Sequence, residues 1–274
     1  MEERRAIGPG LGASLFLLAA CLTGCASKPA AIEPPLQYQR VGWVSLFTQD
    51  DWQSVLTKTV TPGGYVRWER LSNTPELRAA LYRYVSLINS ISPDNRPDLF
   101  QTRADREAYW LNAYNATCMY GVLQHSLNNP PALYSADHFS FGGVPLTLDQ
   151  VEDGKIKPLG DPRVAFAINR CTRSSPPLRN EPYDSMKLNT QLTNQGRVFL
   201  SDSRGVVVDE NGTAKINRIL AVDYAPMFFA AYPQKLGKAT TIQRALEPYA
   251  IKHSALWEAD VVTAMPYDSR LNLP

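Results

Sequence analysis

The strongest periodic signal lies between residues 74 and 123. In "TPELRAALYRYVSLINSI" the apolar positions Leu77, Leu81, Tyr84, Val85 and Ile88 return every three or four residues, which predicts a helix over 74–91 with Thr74 as its cap and Pro75 at its first position. After the loop "SPDNRPDLF" comes "TRADREAYWLNAYNATCMYGVL", where Thr102 and Asp105 fill the two positions of a capping box. From Ala108 to Leu123 apolar residues face almost every direction, so this second helix is expected to be buried on most sides. Upstream, "DDWQSVLTKTV" (50–60) places Trp52, Val55, Leu56 and Val60 at helical spacing, "TPGG" ends it, and "YVRWERL" reads as a short extended run.

Beyond residue 130 the texture changes. "HFSFGGVPLTLDQVEDGKI" predicts a strand, a Gly-Gly turn, a second strand and a short helix from Leu148. "DPRVAFAIN" (161–169) is apolar through its centre and predicts a strand buried on both faces that runs into "RCTRSSPPLRNEPY". "MKLNTQLTNQGRVFL" predicts a helix with Leu188, Leu192, Val198 and Phe199 inward, and "GVVVDENGTAKIN" a hairpin around "ENG". "TTIQRALEPYA" predicts a short helix, and "VVTAMPYDSRLN" a closing strand and turn. Helices first, then mixed short elements, give an α+β expectation: N-terminal helices packed on a small mixed sheet with a β-hairpin.

The N-terminus, "MEERRAIGPGLGASLFLLAACLTGCASKPA", has another character: a charged start, an apolar run too short to span a bilayer, then small residues around two cysteines. "LAAC" and "LTGC" both resemble the lipobox of bacterial lipoproteins, and Cys25 leaves the longer apolar run upstream, with Cys21 as the alternative. The expected division is a signal peptide over 1–24, a Pro- and Ala-rich tether over 25–42 and one domain over 43–274. Ala26 and Ser27 offer nothing like the aspartate that retains lipoproteins at the inner membrane, so the expected address is the outer membrane, lipid-anchored, with the domain facing the periplasm.

Charge and cysteine count narrow the functional classes. The formal net charge of +2 over 274 residues argues against a nucleic-acid partner. Of four cysteines, two belong to the signal and anchor, which leaves Cys118 and Cys171 either as a disulfide or as two separate buried thiols. No HExxH, CxxC or Gly-rich phosphate loop occurs, so neither metal nor cofactor is expected.

Two stretches hold the candidate chemistry. "NRCTRSSPPLR" offers a nucleophile, Cys171 or Ser175, with Arg170, Arg173 and Arg179 to meet an anionic group; alternatively it is a rigid Ser-Pro-Pro turn whose hydroxyls cap backbone groups. Either nucleophile needs a base, and the chain has only His125, His138 and His253. A histidine beside Cys171 or Ser175 in a cleft would favour an enzyme; a sealed turn would favour a binding module. In "AYWLNAYNA", Tyr109, Trp110 and Tyr114, with Tyr120 beyond it, fit a buried helix better than a sugar-binding groove. Asn112 and Asn115, one turn apart in that dry setting, need partners, and the backbone of the "RCTRSSPP" loop is the expected one.

"AYWLNAYNA" and "DPRVAFAINRCTRSSPPLRNEPY", with "LTLDQVEDGKI", "RVFLSDSRGVVVDENGTAKINRIL" and "YDSRLN", resemble the family called domain of unknown function 547, over roughly residues 50 to 272. The resemblance marks Trp110, Asn112, Tyr114, Asn115, Glu152, Pro162, Arg163, Pro176 and Leu178 as pattern positions. It implies a Cys/His pair suited to papain- or transglutaminase-like chemistry in members with His at the position of Ala165 and Cys at that of Ser175. This chain departs from the pattern at both. The expectation is therefore a lipid-anchored binding or scaffold module, with a Cys- or Ser-dependent hydrolase or acyl transferase as the alternative. Its expected partners are the membrane, through the lipid, and an envelope protein or peptidoglycan-related ligand.

Overall fold

Four helices open the fold: α1 (Asp50–Thr59), α2 (Trp68–Asn73), α3 (Pro75–Ser90) and α4 (Arg103–Gln124). The computed structural model describes residues 29–35, 37, 46–232, 242–250, 256, 259 and 261–274. The expected signal peptide, Cys21, Cys25, most of the tether and His253 lie outside the described residues. The apolar stripe of α1 buries Trp52, Val55 and Leu56, and the Trp52 ring stacks on Tyr84 of α3 with centroids 5.7 Å apart. Thr74 adopts the extended conformation of a cap, but its side chain makes no cap hydrogen bond, so Pro75 with its fixed φ does the starting. Thr102 does cap α4: its Oγ1 accepts from the Asp105 N–H at 3.0 Å while Asp105 accepts from the Thr102 N–H at 2.9 Å. Every α4 residue from Glu107 to Val122 is buried.

Two expectations need correction here. "YVRWERL" is extended only as far as Val66, which bridges Val60; from Trp68 the chain is helical, which turns Trp68 and Leu71, three residues apart, to one buried face. "DPRVAFAIN" is not a strand. Its centre is a 3-10 turn, Pro162–Phe166, begun by Pro162 and by the Asp161 side chain, which accepts the Arg163 N–H at 2.9 Å. A continuous apolar run reports burial on all sides, and a buried helical turn satisfies it as well as a buried strand.

The remaining elements position the site. Strands β1 (Phe139–Phe141) and β2 (Val144–Leu146) form a hairpin whose turn puts Gly142 and Gly143 at φ +60° and +84°. The short helix α5 (Ala132–Ser135) precedes it. Helix α6 (Leu148–Val151), capped by Thr147 and Gln150, widens into a π turn at Glu152–Ile156 that buries Glu152. Helix α7 (Leu188–Leu200) buries Leu188, Leu192 and Phe199 but leaves Val198 51% exposed, because adjacent helical residues point about 100° apart. A three-stranded sheet of β3 (Val206–Val208), β4 (Thr213–Ile216) and β5 (Val261–Ala264) pairs β3 with β4 antiparallel and β4 with β5 parallel. Helices α8 (Ala225–Ala231) and α9 (Ile242–Leu246) lie between β4 and β5 in sequence. The architecture is α+β, helices with a small mixed sheet, and the buried apolar residues form one cluster from Trp52 to Ala259.

Candidate functional site

The two asparagines of α4 hold the backbone on either side of the 170–179 loop. Asn115 Nδ2 donates to the Ala167 carbonyl at 3.0 Å and its Oδ1 accepts the Asn169 N–H at 2.8 Å. Asn112 makes the matching pair with Tyr183, N–H at 2.9 Å and carbonyl at 2.8 Å, and also accepts from Trp52 Nε1 at 3.3 Å. The expected contact with "RCTRSSPP" is thus displaced to its two flanks. Asn169 relays the restraint inward, donating to the Pro176 carbonyl at 2.7 Å and accepting the Cys171 N–H at 2.8 Å. A loop clamped by buried amides at both ends has little freedom.

Ser175 is the hub of that loop. It is fully buried, and its Oγ accepts the N–H groups of Arg170 at 3.0 Å and Thr172 at 3.1 Å. With both lone pairs taken, its own hydrogen goes to Thr172 Oγ1, 2.9 Å away, which in turn meets the Tyr267 hydroxyl at 2.9 Å. Cys171 is equally buried, at φ +55°, a left-handed conformation, and neither Cys171 nor Cys118 is in a disulfide. Burial pushes the Cys171 thiol up, and the hydrogen-bonded Cys118 thiol raises it further, so the thiolate is suppressed. His125 pairs with Asp137 at 2.5 Å, and His138 bonds the Ala136 carbonyl at 2.8 Å. Neither contacts a candidate nucleophile.

Glu152 and Arg170 form an ion pair under the loop. The guanidinium reaches Glu152 through Nη2 at 2.7 Å and Nε at 3.2 Å, and Asp223 through Nη1 at 3.1 Å. Tyr114 and Tyr224 donate to the same carboxylate at 3.3 and 3.0 Å, and Lys157 lies 3.6 Å from it. Burial and then the Glu152 carboxylate push both phenols far above their ordinary range, so they remain donors. Burial opposes the charge on Arg170, but Glu152 together with Tyr114 and Tyr267 outweighs it, so the guanidinium stays protonated. Arg170 is therefore fully used, as is Arg163, which chelates Asp161 and bonds Asn189 and Thr193. Arg179 pairs with Glu181.

Residues 99–200 match the family model described as "Protein of unknown function, DUF547". The match is narrower than the resemblance over 50–272, yet the DUF547 segment contains every pattern position from Trp110 to Leu178. No curated protein and no solved structure matches the chain. Within the DUF547 segment the structure brings Tyr114, Glu152 and Arg170 together, and Asn115 reaches Pro176 through Asn169. Trp110 stands apart from the loop as core, 3% exposed, with Lys155 Nζ 5.8 Å from its ring centroid. Tyr109, Tyr114 and Tyr120 are at most 1% exposed, so no sugar-binding groove forms from them. Among the described residues, no group of three His, Cys, Asp or Glu could hold a metal ion.

Sequence reading missed the contributions from outside the DUF547 segment. Asp223, Tyr224 and Tyr267 complete the shells of Arg170, Glu152 and Thr172, and only "YDSRLN" had marked one of them. It also missed that the loop's outer side borders a cleft. Arg173 and Ser174 line a cavity of about 550 Å³ together with Tyr65, Arg204 and the 265–274 segment.

Proposed function

We infer that the protein is a lipid-anchored envelope module that binds a partner or ligand through the clamped 170–179 loop, with its domain facing the periplasm from the outer membrane. The anchor and address rest on the lipobox at Cys25, or Cys21, and on Ala26 and Ser27 after it. The binding reading rests on one observation: both candidate nucleophiles are sealed, Ser175 with all its hydrogen-bonding capacity spent and Cys171 with its thiolate suppressed. A hydroxyl whose lone pairs are taken, with no base beside it among the described residues, is a poor nucleophile near neutral pH.

One feature favours the second reading, a Cys- or Ser-dependent hydrolase or acyl transferase. Two backbone N–H groups converge on the Ser175 Oγ, and such a cradle also suits an anion. Intact-mass measurement after exposure to thiol- and serine-directed probes at neutral pH separates the two. The binding reading expects no adduct on the folded chain, and reaction at Cys118 and Cys171 once it is denatured. Labelling at Cys171 or Ser175 that is lost on unfolding would establish an activated nucleophile.

A further inference from the structure

The cleft on the outer side of the loop has walls that are fixed independently of any ligand. Arg173 N–H donates to the Arg270 carbonyl at 2.8 Å, and Ser174 Oγ accepts the Asp268 N–H at 2.7 Å, so the loop and the 268–272 segment run together as one wall. Asn217 ties this wall to the next, its Nδ2 donating to the carbonyls of Ser174 at 2.8 Å and Arg204 at 2.7 Å. The turn carrying Tyr65 closes in at Gly64, where φ is +72° and a Cβ would stand 2.5 Å from Pro177. Only glycine allows that approach.

Inside these walls several donors have no acceptor. The Arg173 guanidinium is exposed and makes no hydrogen bond or ion pair among the described residues, unlike Arg163, Arg170 and Arg179 of the same segment. The Arg204 side chain is 8% exposed, stacks 4.2 Å from the Tyr65 ring centroid and chelates Asp202 through Nε and Nη2, yet its Nη1 has no partner among the described residues. The hydroxyl hydrogens of Ser174 and Tyr65 likewise have no acceptor among the described residues. The acidic groups nearby are already neutralised: Asp202 by Arg204, and Asp268 by the fork of Arg270, with Nε 2.9 and 3.1 Å from its two oxygens. Arg173 has no carboxylate within ion-pair distance among the described residues, although its charge helps to hold Asp268 ionised. Met265, Pro266, Leu273 and Pro274 complete the lining.

We propose that this cleft is a binding site for a monoanion with an apolar body, a carboxylate such as a peptide C-terminus carries, gripped by Arg173 with Ser174 and the Tyr65 hydroxyl as further donors. A planar guanidinium whose hydrogen-bond donors are free matches a carboxylate in two parallel hydrogen bonds. A single unneutralised cation beside Asp268 disfavours a dianion such as phosphate. The site deepens the binding-module reading and rests on it.

Calorimetric titration of the purified full-length protein with N-acetyl-leucine, N-acetylleucinamide and inorganic phosphate tests the site. Saturable binding of the acid is expected, at least tenfold tighter than the amide or phosphate. Arg173→Gln should weaken it tenfold or more with an unchanged melting midpoint, and Arg173→Lys should recover part of the loss. Equal binding of acid and amide, tighter binding of phosphate, no binding of the acid, or wild-type affinity in Arg173→Gln would each overturn the proposal. Its failure with Cys171 and Ser175 unlabelled would leave a binding module that works through another surface; their labelling would remove the module reading itself.

Discussion

Replacing Asn115 with alanine tests the clamp on which the site depends. The substitution leaves the Ala167 carbonyl and the Asn169 N–H without partners, both in a region that water does not reach, since Ala167 and Asn169 are 3% and 1% exposed. An unpaired buried backbone group costs about 1–3 kcal/mol, so the two together should cost about 2–6 kcal/mol. For a chain of this size that lowers the melting midpoint by about 4–24 °C. Equilibrium urea unfolding of wild type, Asn115→Ala, Asn169→Ala and the double variant is the assay. Asn169 passes the restraint to Cys171 and Pro176, so the double variant should cost less than the sum of the singles by about 1 kcal/mol or more. An unchanged midpoint in Asn115→Ala, or strict additivity in the cycle, would refute the reasoning.

Two further outcomes follow from the buried charges. Glu152→Gln breaks the pairing that holds Arg170 and should cost about 3–5 kcal/mol in the same unfolding assay, whereas Tyr114→Phe, which removes one neutral donor, should cost about 1 kcal/mol; equal losses would show that the ion pair does not dominate. Glu107, 3% exposed and with one oxygen unpartnered, has its carboxyl pushed from an ordinary 4.5 up to about 7 by burial and then by the Asp161 carboxylate, so the folded chain holds the proton more tightly than the unfolded one. Its contribution is full below about pH 4.5 and is lost as pH rises through about 7, by about 1–3 kcal/mol; Glu107→Gln should flatten that part of the stability profile, and an unaltered slope would count against the shift.

Much of this was legible in the chain because the relevant interactions are local. A capping box, a Gly-Gly hairpin and a three-to-four-residue apolar stripe are all decided within a few residues, and α3, α4 and β1–β2 lie where those signals put them. The misreadings share a cause. "DPRVAFAIN" and "YVRWERL" are short and buried, so neither is long enough for its period to separate a helical turn from a strand. Val198 was misplaced because a cluster of apolar residues at the end of α7 does not say which of two neighbours turns inward. For the site, residue types were readable and pairings were not. Arg170, Arg173 and Arg179 are indistinguishable in sequence, and the first is consumed by Glu152 and Asp223, the third by Glu181, while the second faces open space. Those partners lie 18 and 53 residues from Arg170, so only the fold assigns them.

The Ser175 cradle explains how a resemblance to thiol chemistry and a sealed geometry can occur together. Two N–H groups aimed at one side-chain atom stabilise negative charge there. For a cysteine at that point, whose anion lies within reach of neutral pH, such donors lower the thiol pKa and favour the reactive form. A serine hydroxyl is far too weak an acid for the same donors to ionise it, so they merely occupy its lone pairs, and the hydroxyl becomes a fastener for the turn. Ala165 completes the change, because a fully buried methyl can neither accept a proton nor orient one. With a serine and an alanine where the resemblance implies Cys and His, the exposed residue of the clamped loop is Arg173, at the edge of a cleft. That exposed donor is the basis of the binding role proposed above.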